Sequence, residues 1–295
     1  KNTAVGYQAL DAFTTGYENV AIGGGAGGAL TTGYTSTFVG YAAGQSVTTA
    51  GNNNYFGYAA GNGTTGGGNV GIGNHVMKNG AGAAADNTAV GGSSLYAITT
   101  GTKNTTLGQS TGETLTTTSN TVLIGYQAGY AINSTDANGT VAVGYEAAKA
   151  LTEGQYNTFL GYEAGEGLTT GAANTYLGYN AGKSTTTYSG NTVVGYLAMS
   201  GTSPGASNVA VGYKAMMCPT GLGFSNNNPV QSVAIGYEAL TAVSTGDNNV
   251  AVGFQAMSGS ALAGNNNVAV GMQAGKVLQG AAHSNTAVGS HAGDA

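Results

Sequence analysis

Two carboxylates, Glu146 and Glu163, stand 17 residues apart in the same phrase, Gly-Tyr-Glu-Ala. If each phrase belongs to one coil of a stacked fold, the pair lies one stacking distance apart. That is near the roughly 5 Å between the two carboxyls of a retaining glycosidase. Such a pair also needs a groove and supporting polar side chains, and no neighbouring column of the repeat supplies them. Lys149 reads as a counter-charge that softens the repulsion between the two acids.

The other chemistry-bearing residues thin out in the same way. His75, His283 and His291 have no cysteine or acid recurring beside them at ligand spacing, so no metal site is expected. Gly23 to Gly28 is glycine-rich but lies inside the repeat, opens no helix and lacks the Lys-(Ser/Thr) of a phosphate loop. A calcium-binding roll would carry Asp at fixed offsets, and Gly23-Gly24-Gly25 has none. Ser, His and Asp never gather as a triad. The expectation is a protein with no catalytic residues, no cofactor and no metal.

What remains is aromatic. Tyr126, Tyr145, Tyr162, Tyr179, Tyr196 and Tyr213 each follow an equivalent glycine in consecutive repeats. Stacked on adjacent coils they would stabilise the fold by ring packing. Facing solvent, they would form a strip able to bind sugars or a partner surface. The position after them is polar and variable (Gln8, His75, Gln127, Glu146, Glu163, Asn180, Lys214, Glu238), as a solvated face is. One repeat is longer, with a loop insertion over 213–231. It reads first as drift, and as a binding loop second, with Phe224, Asn226 and Asn227 as contacts. Deleting Met217–Asn227 and finding attachment unchanged would reject the second reading.

The element that positions all of these is the repeat itself. Seventeen glycines, from Gly6, Gly23 and Gly40 to Gly289, recur mostly at intervals of 17, with one interval of 24 between Gly212 and Gly236. A fixed short period over a whole chain is the mark of a solenoid, in which each repeat buries its apolar face only by stacking on its neighbours. The residue before each glycine is apolar (Val5, Ile22, Val39, Phe56), and three before it stands Val or Thr. β-Branched residues two apart share one strand face, so this stretch is a strand. Between them lies Ala in most copies, with Phe38, Tyr55, Phe159 and Tyr176 as bulky exceptions. A strand apolar on both sides is covered on both, so something must cover the face that carries the Ala/Phe/Tyr column. Asn four before the glycine (Asn2, Asn19, Asn87) and the Thr-Thr-Gly runs at Gly16, Gly33 and Gly101 read as corners with left-handed backbone. A second short strand is expected after the glycine. At about 4.8 Å per coil, seventeen coils make a rod about 80 Å long.

Composition agrees. Glycine accounts for 54 of 295 residues, charged residues for 6%, and the net charge is −5. That lacks the basic footprint of a nucleic-acid binder. A single cysteine, Cys218, excludes an internal disulfide, and no apolar run approaches a bilayer span. The chain opens on Lys1 within a repeat, as a piece of a longer fibre would.

The phrase Asn-(Thr/Val)-Ala-(Val/Ile)-Gly followed three residues later by Ala resembles the YadA-like head repeats of trimeric autotransporter adhesins. The longer Gly-Tyr-Gln-Ala-(Leu/Gly) form resembles repeats of phage and bacterial tail-fibre proteins. The resemblance covers the whole chain and implies a left-handed parallel β-roll assembled as a homotrimer, in which the Ala/Phe/Tyr column would face the threefold axis or a neighbouring chain. The expectation is therefore an all-β solenoid, 1–295, forming a non-enzymatic shaft or adhesion module of an extracellular, cell-surface or virion-tail fibre. Its partners would be two further copies and a host-cell receptor or surface glycan, with no nucleic acid and no membrane insertion. An ice-binding solenoid and a self-assembling filament subunit are the rivals.

Overall fold

The computed structural model describes residues 1–201, 205–217, 230–241, 246–259, 263–278 and 280–293. The described residues are all-β apart from one 3-10 turn, Thr135–Ala137, and none of their helices is long and apolar enough to cross a membrane. The chain divides into two compact units, Lys1–Glu146 and Ala147–Ala295. The first holds nine strands, from β1 (Thr3–Val5) to β9 (Val141–Val143), and the second eight, from β10 (Thr158–Leu160) to β17 (Thr286–Val288). Each strand is three residues long, one per repeat. Within each unit every strand pairs in parallel with the next, and equivalent repeat positions face each other, as in Thr88↔Thr105 and Thr175↔Thr192. Each unit is thus a β-solenoid. The 24-residue repeat keeps this register, with Val209 opposite Val233.

The strands end where they do because of the marker glycine. Its φ lies between +127° and +145° in all seventeen copies, a region closed to other residues. A Cβ on Gly91 would also stand 2.2 Å from the Gly108 carbonyl oxygen of the next coil. The backbone then turns. The expected second strand is not formed: residues after the glycine make short turns (Ala26 N–H to Gly23 O, 3.2 Å) alternating with bonds to the next coil (Gly27 N–H to Ala43 O, 2.9 Å). The alternation puts the second and fourth residues after the glycine into left-handed conformation, as at Glu163 (φ 51°) and Leu95 (φ 49°).

The left-handed corners expected at Asn and Thr-Thr-Gly lie elsewhere. The Asn column is a buried side-chain ladder, and the left-handed residue is the one before it, such as Glu18 or Lys103. The glycine of Thr-Thr-Gly has no positive φ; it is there for room, since a Cβ on Gly101 would lie 2.3 Å from the Thr118 carbonyl oxygen.

The expected facing of the strand is also reversed. The Ala/Phe/Tyr column points into its own coil and is fully buried at Ala21, Phe38, Tyr55, Ala142, Phe159 and Tyr176. The Val/Ile/Leu column faces outward, with Ile22 41%, Leu107 49% and Leu160 46% exposed. A coil of 17 residues encloses a narrow interior, so the smaller column goes inside. The bulky exceptions fit because the repeat makes space for them four residues after the marker. Opposite Phe38, Tyr55, Phe159 and Tyr176 stand Gly44, Gly61, Gly165 and Gly182, where a Cβ would come within 2.4 Å of the ring. Opposite Ala89, Ala234 and Ala251 stand Leu95, Leu240 and Met257, all buried. In these coils a large residue at one inward position is matched by a small one at the other, as close packing demands.

Candidate functional site

The marker glycine and the turn behind it aim the next side chain outward and stack it on its counterpart one coil away. In the first unit Tyr126 and Tyr145 stack with centroids 5.4 Å apart and planes 17° apart, and Tyr41 and Tyr58 at 5.5 Å and 12°. In the second unit Tyr162, Tyr179, Tyr196 and Tyr213 form a continuous ladder at 5.1–5.3 Å and 5–11°. Tyr237 and Phe254 continue it at 4.9 and 5.2 Å. The six tyrosines singled out by spacing therefore do stack in their own units. Tyr237, which follows the marker Gly236, extends the run that the sequence reading ended at Tyr213. A second corner carries another pair, Tyr17 on Tyr34, at 5.4 Å and 13°.

The rings remain partly open, with Tyr179 43% exposed. Their faces are spent on each other, so the inner rungs of the ladder present edges and hydroxyls. Stacking and exposure thus hold together, where they had been alternatives. Lys214 sits 5.1 Å from the Tyr213 centroid, in cation–π range, and this tyrosine is the main cause of its raised pKa. The Tyr237 phenol is also shifted upward, by desolvation first and then by the Glu238 charge.

Beside the rings runs the polar column. Gln273 donates to Gln255 and Gln255 to Glu238, each at 2.9 Å. Lys183 pairs with Glu163 and lies 3.1 Å from Glu166; the bond to Glu163 is the leading cause of its raised pKa. Glu163 is thus engaged by Lys183 of the next coil. Among the histidines, His75 packs edge-on against Tyr58 with centroids 5.2 Å apart, and His283 accepts a hydrogen bond from the Asn265 N–H at 2.9 Å. Among the described residues no three His, Cys, Asp or Glu side chains form a group that could hold a metal ion. Phe224, Asn226 and Asn227 lie outside the described residues. A cavity of about 250 Å³ lined by Lys214, Met217, Glu238 and Thr241 opens where the described chain enters that insertion.

The asparagines that the sequence places at corners form a buried ladder instead. In the first unit Asn69, Asn87 and Asn104 each donate a backbone N–H to the side-chain oxygen of the previous rung at 3.0–3.1 Å, and each side-chain amide donates onward, as Asn87 does to Gly101 O at 3.0 Å. In the second unit Asn174, Asn191, Asn208 and Ser232 do the same with their N–H groups at 2.9 Å. The signal was present: a polar residue kept beside an apolar strand in nearly every coil.

A gap in the aromatic ladder of the first unit has its own geometry. Gly24 occupies the ring position between Tyr7 and Tyr41. Two adjoining cavities open there, one of about 100 Å³ lined by Tyr7, Gln8, Gly24, Tyr41 and Gln45, and one of about 260 Å³ reaching Asp11, Gly28 and Ala29.

No protein-family model matches the chain, and no curated protein or solved structure matches it either, so the likeness to YadA-like and tail-fibre repeats rests on the repeat phrase alone.

Proposed function

We propose that this chain is a non-enzymatic shaft of a homotrimeric extracellular fibre, of the kind found in surface adhesins or phage tails, that carries attachment to a receptor or glycan. The observation that supports this reading is the outward Val/Ile/Leu column, which recurs coil after coil in both units. It leaves Ile72 and Leu107 exposed in the first unit, and in the second Leu160 and Leu177 exposed in register beside Tyr162 and Tyr179. Contiguous apolar surface on this scale is a mark of an interaction face. A repeating strip is best covered by another repeating strip of the same pitch, which a second copy of the chain supplies. The interchain face is therefore the Val/Ile/Leu column and not the buried Ala/Phe/Tyr column.

Light scattering on a size-exclusion column tests this. The expected mass is three times that of the 28.8 kDa chain. The double variant L160K/L177K places two cations on the strip without touching the interior, and is expected to yield a folded monomer. A monomeric parent, or a variant that stays trimeric, rejects the assignment.

Ice binding is the second reading, favoured by one observation: Thr158, Thr175 and Thr192 are exposed and paired in register on adjacent strands. Thermal hysteresis in the purified chain would support it, and freezing at the equilibrium point would remove it.

A further inference from the structure

The missing rung at Gly24 has walls suited to a ligand. Tyr7 and Tyr41 sit two coils apart, about 10 Å at ~4.8 Å per coil. Tyr41 has Tyr58 on one face only, and its other face looks into the gap. Tyr7 and Tyr41 are 81% and 62% exposed, well above the ladder rungs of the second unit. Glycine also occupies the second and fifth positions after the marker (Gly25, Gly28), so these positions of the coil put no side chain into the outer space. Gln8 and Gln45 stand beside the gap and Asp11 at its open end. The Gln45 amide nitrogen lies 3.6 Å from where a Cβ of Gly25 would be, so that amide leans over the bare coil.

We propose that this gap is a pyranose-binding slot, in which one sugar ring lies between Tyr7 and Tyr41 while Gln8, Gln45 and Asp11 take its hydroxyls. The polar lining selects the ligand class. A single aromatic ring spans such a gap at the 5.1–5.5 Å centroid spacing of the ladder, but it brings no girdle of hydroxyls for the two amides and the carboxylate. A chair is thicker, and its axial C–H groups meet an aromatic face at a centroid distance of about 5 Å, within the range of ring packing. Two aromatic walls also require that both sugar faces be apolar. That favours β-glucopyranose-type rings, whose hydroxyls are all equatorial, over galactose-type rings with one axial hydroxyl. The equatorial hydroxyls then project sideways towards the two amides and the carboxylate. Small pockets with aromatic walls and a few polar groups are the usual form of such sites. The proposal rests on the glycan-binding half of the proposed function and not on trimerisation, since one chain supplies every wall.

The test is saturation-transfer NMR and titration of the full chain with methyl β-glucopyranoside, with methyl β-galactopyranoside and phenol as comparators. Transfer is expected to H1, H3 and H5 on one sugar face and to H2 and H4 on the other, with the galactoside several-fold weaker. Gly24→Tyr should weaken glucoside binding at least tenfold while the melting temperature holds or rises. Gly24 has no positive φ, a Cβ there meets nothing closer than 3.3 Å, and ten other coils carry tyrosine at this position. Tyr41→Ala should lose binding too, and reads the slot independently if the first variant misfolds. Absent transfer, transfer unchanged in both variants, or phenol binding more tightly than the glucoside would each overturn the proposal. If Gly24→Tyr leaves binding of the chain to a glycan-coated surface intact, the slot fails while the attachment reading stands.

Discussion

Tyr55 and Tyr176 hold the same inward position in different coils, yet their hydroxyls fare differently. The Tyr55 hydroxyl is 2.8 Å from the Thr64 hydroxyl, whereas that of Tyr176 has no partner in bonding geometry, although Thr185 and Asn191 stand near. A buried hydroxyl without a partner gives up hydration for nothing, and a made bond contributes about 1 kcal/mol net. Tyr55→Phe should therefore destabilise the first unit by about 1–2 kcal/mol, and Tyr176→Phe should be neutral or stabilising, as read by denaturant titration. Burial pushes both phenols up to about 12. An unfolded tyrosine ionises near 10. Because the folded value is raised, the native state holds protons that the unfolded chain has released, so stability is intact below pH ~10 and falls as pH climbs towards 12. The double phenylalanine variant should lose stability less steeply over that window. The inward pointing of these rings was legible after all. A glycine six residues on (Gly44, Gly61, Gly165, Gly182) and a threonine nine residues on (Thr64, Thr185) mark the room and the partner that a buried ring needs.

In most elements three residues make a strand and a fourth, usually the asparagine before it, ties the coil to its neighbour. Asn87 accepts the Asn104 N–H and donates to Gly101 O and Ala85 O, all at 3.0 Å. Asn87→Ala leaves those buried groups unpaired, at about 1–3 kcal/mol for each that water cannot reach. Asn87→Ser should recover part of the loss, because Ser36 and Ser232 already serve as rungs, accepting the N–H groups of Asn53 and Asn249 at 3.1 Å. Equal loss in both variants would show that the side-chain ladder contributes little. The paired sizes inside a coil give a second prediction. Phe38→Ala should cost about 3–5 kcal/mol by leaving a cavity. Adding Gly44→Leu, which copies the Ala89 and Leu95 pair, should restore at least 1 kcal/mol of that in a double-mutant cycle. Strand position and period were readable because the marker glycine recurs in every coil and β-branched residues flank it in most. Facing was not legible from the period, since period 2 separates two columns but cannot say which is inside when both are apolar. The asparagine was misread because a residue that favours turns also suits a buried ladder.

For the whole molecule, the ratio of apolar surface to charge decides how copies would meet. Only 19 of 295 residues are acidic or basic, by the count of 7 Lys and 12 Asp plus Glu, while the outward Val/Ile/Leu column and the tyrosines stay part-exposed in both units. Association through ion pairs would weaken as salt screens them, with a Debye length near 3 Å at 1 M. Association through the apolar strip would not weaken, and an excluded salt such as sulfate would strengthen it. The mass of the assembly should therefore be constant from 0.05 to about 1 M sodium chloride and persist to lower protein concentration in sodium sulfate. The L160K/L177K variant should respond in the opposite sense, regaining self-association as salt rises, because screening removes the repulsion between like charges that face each other across the contact. If the parent instead falls apart in high salt, the few charges hold the copies together. The contact would then have to be sought around Lys183, Glu163 and Glu166, or along the Glu238, Gln255 and Gln273 column.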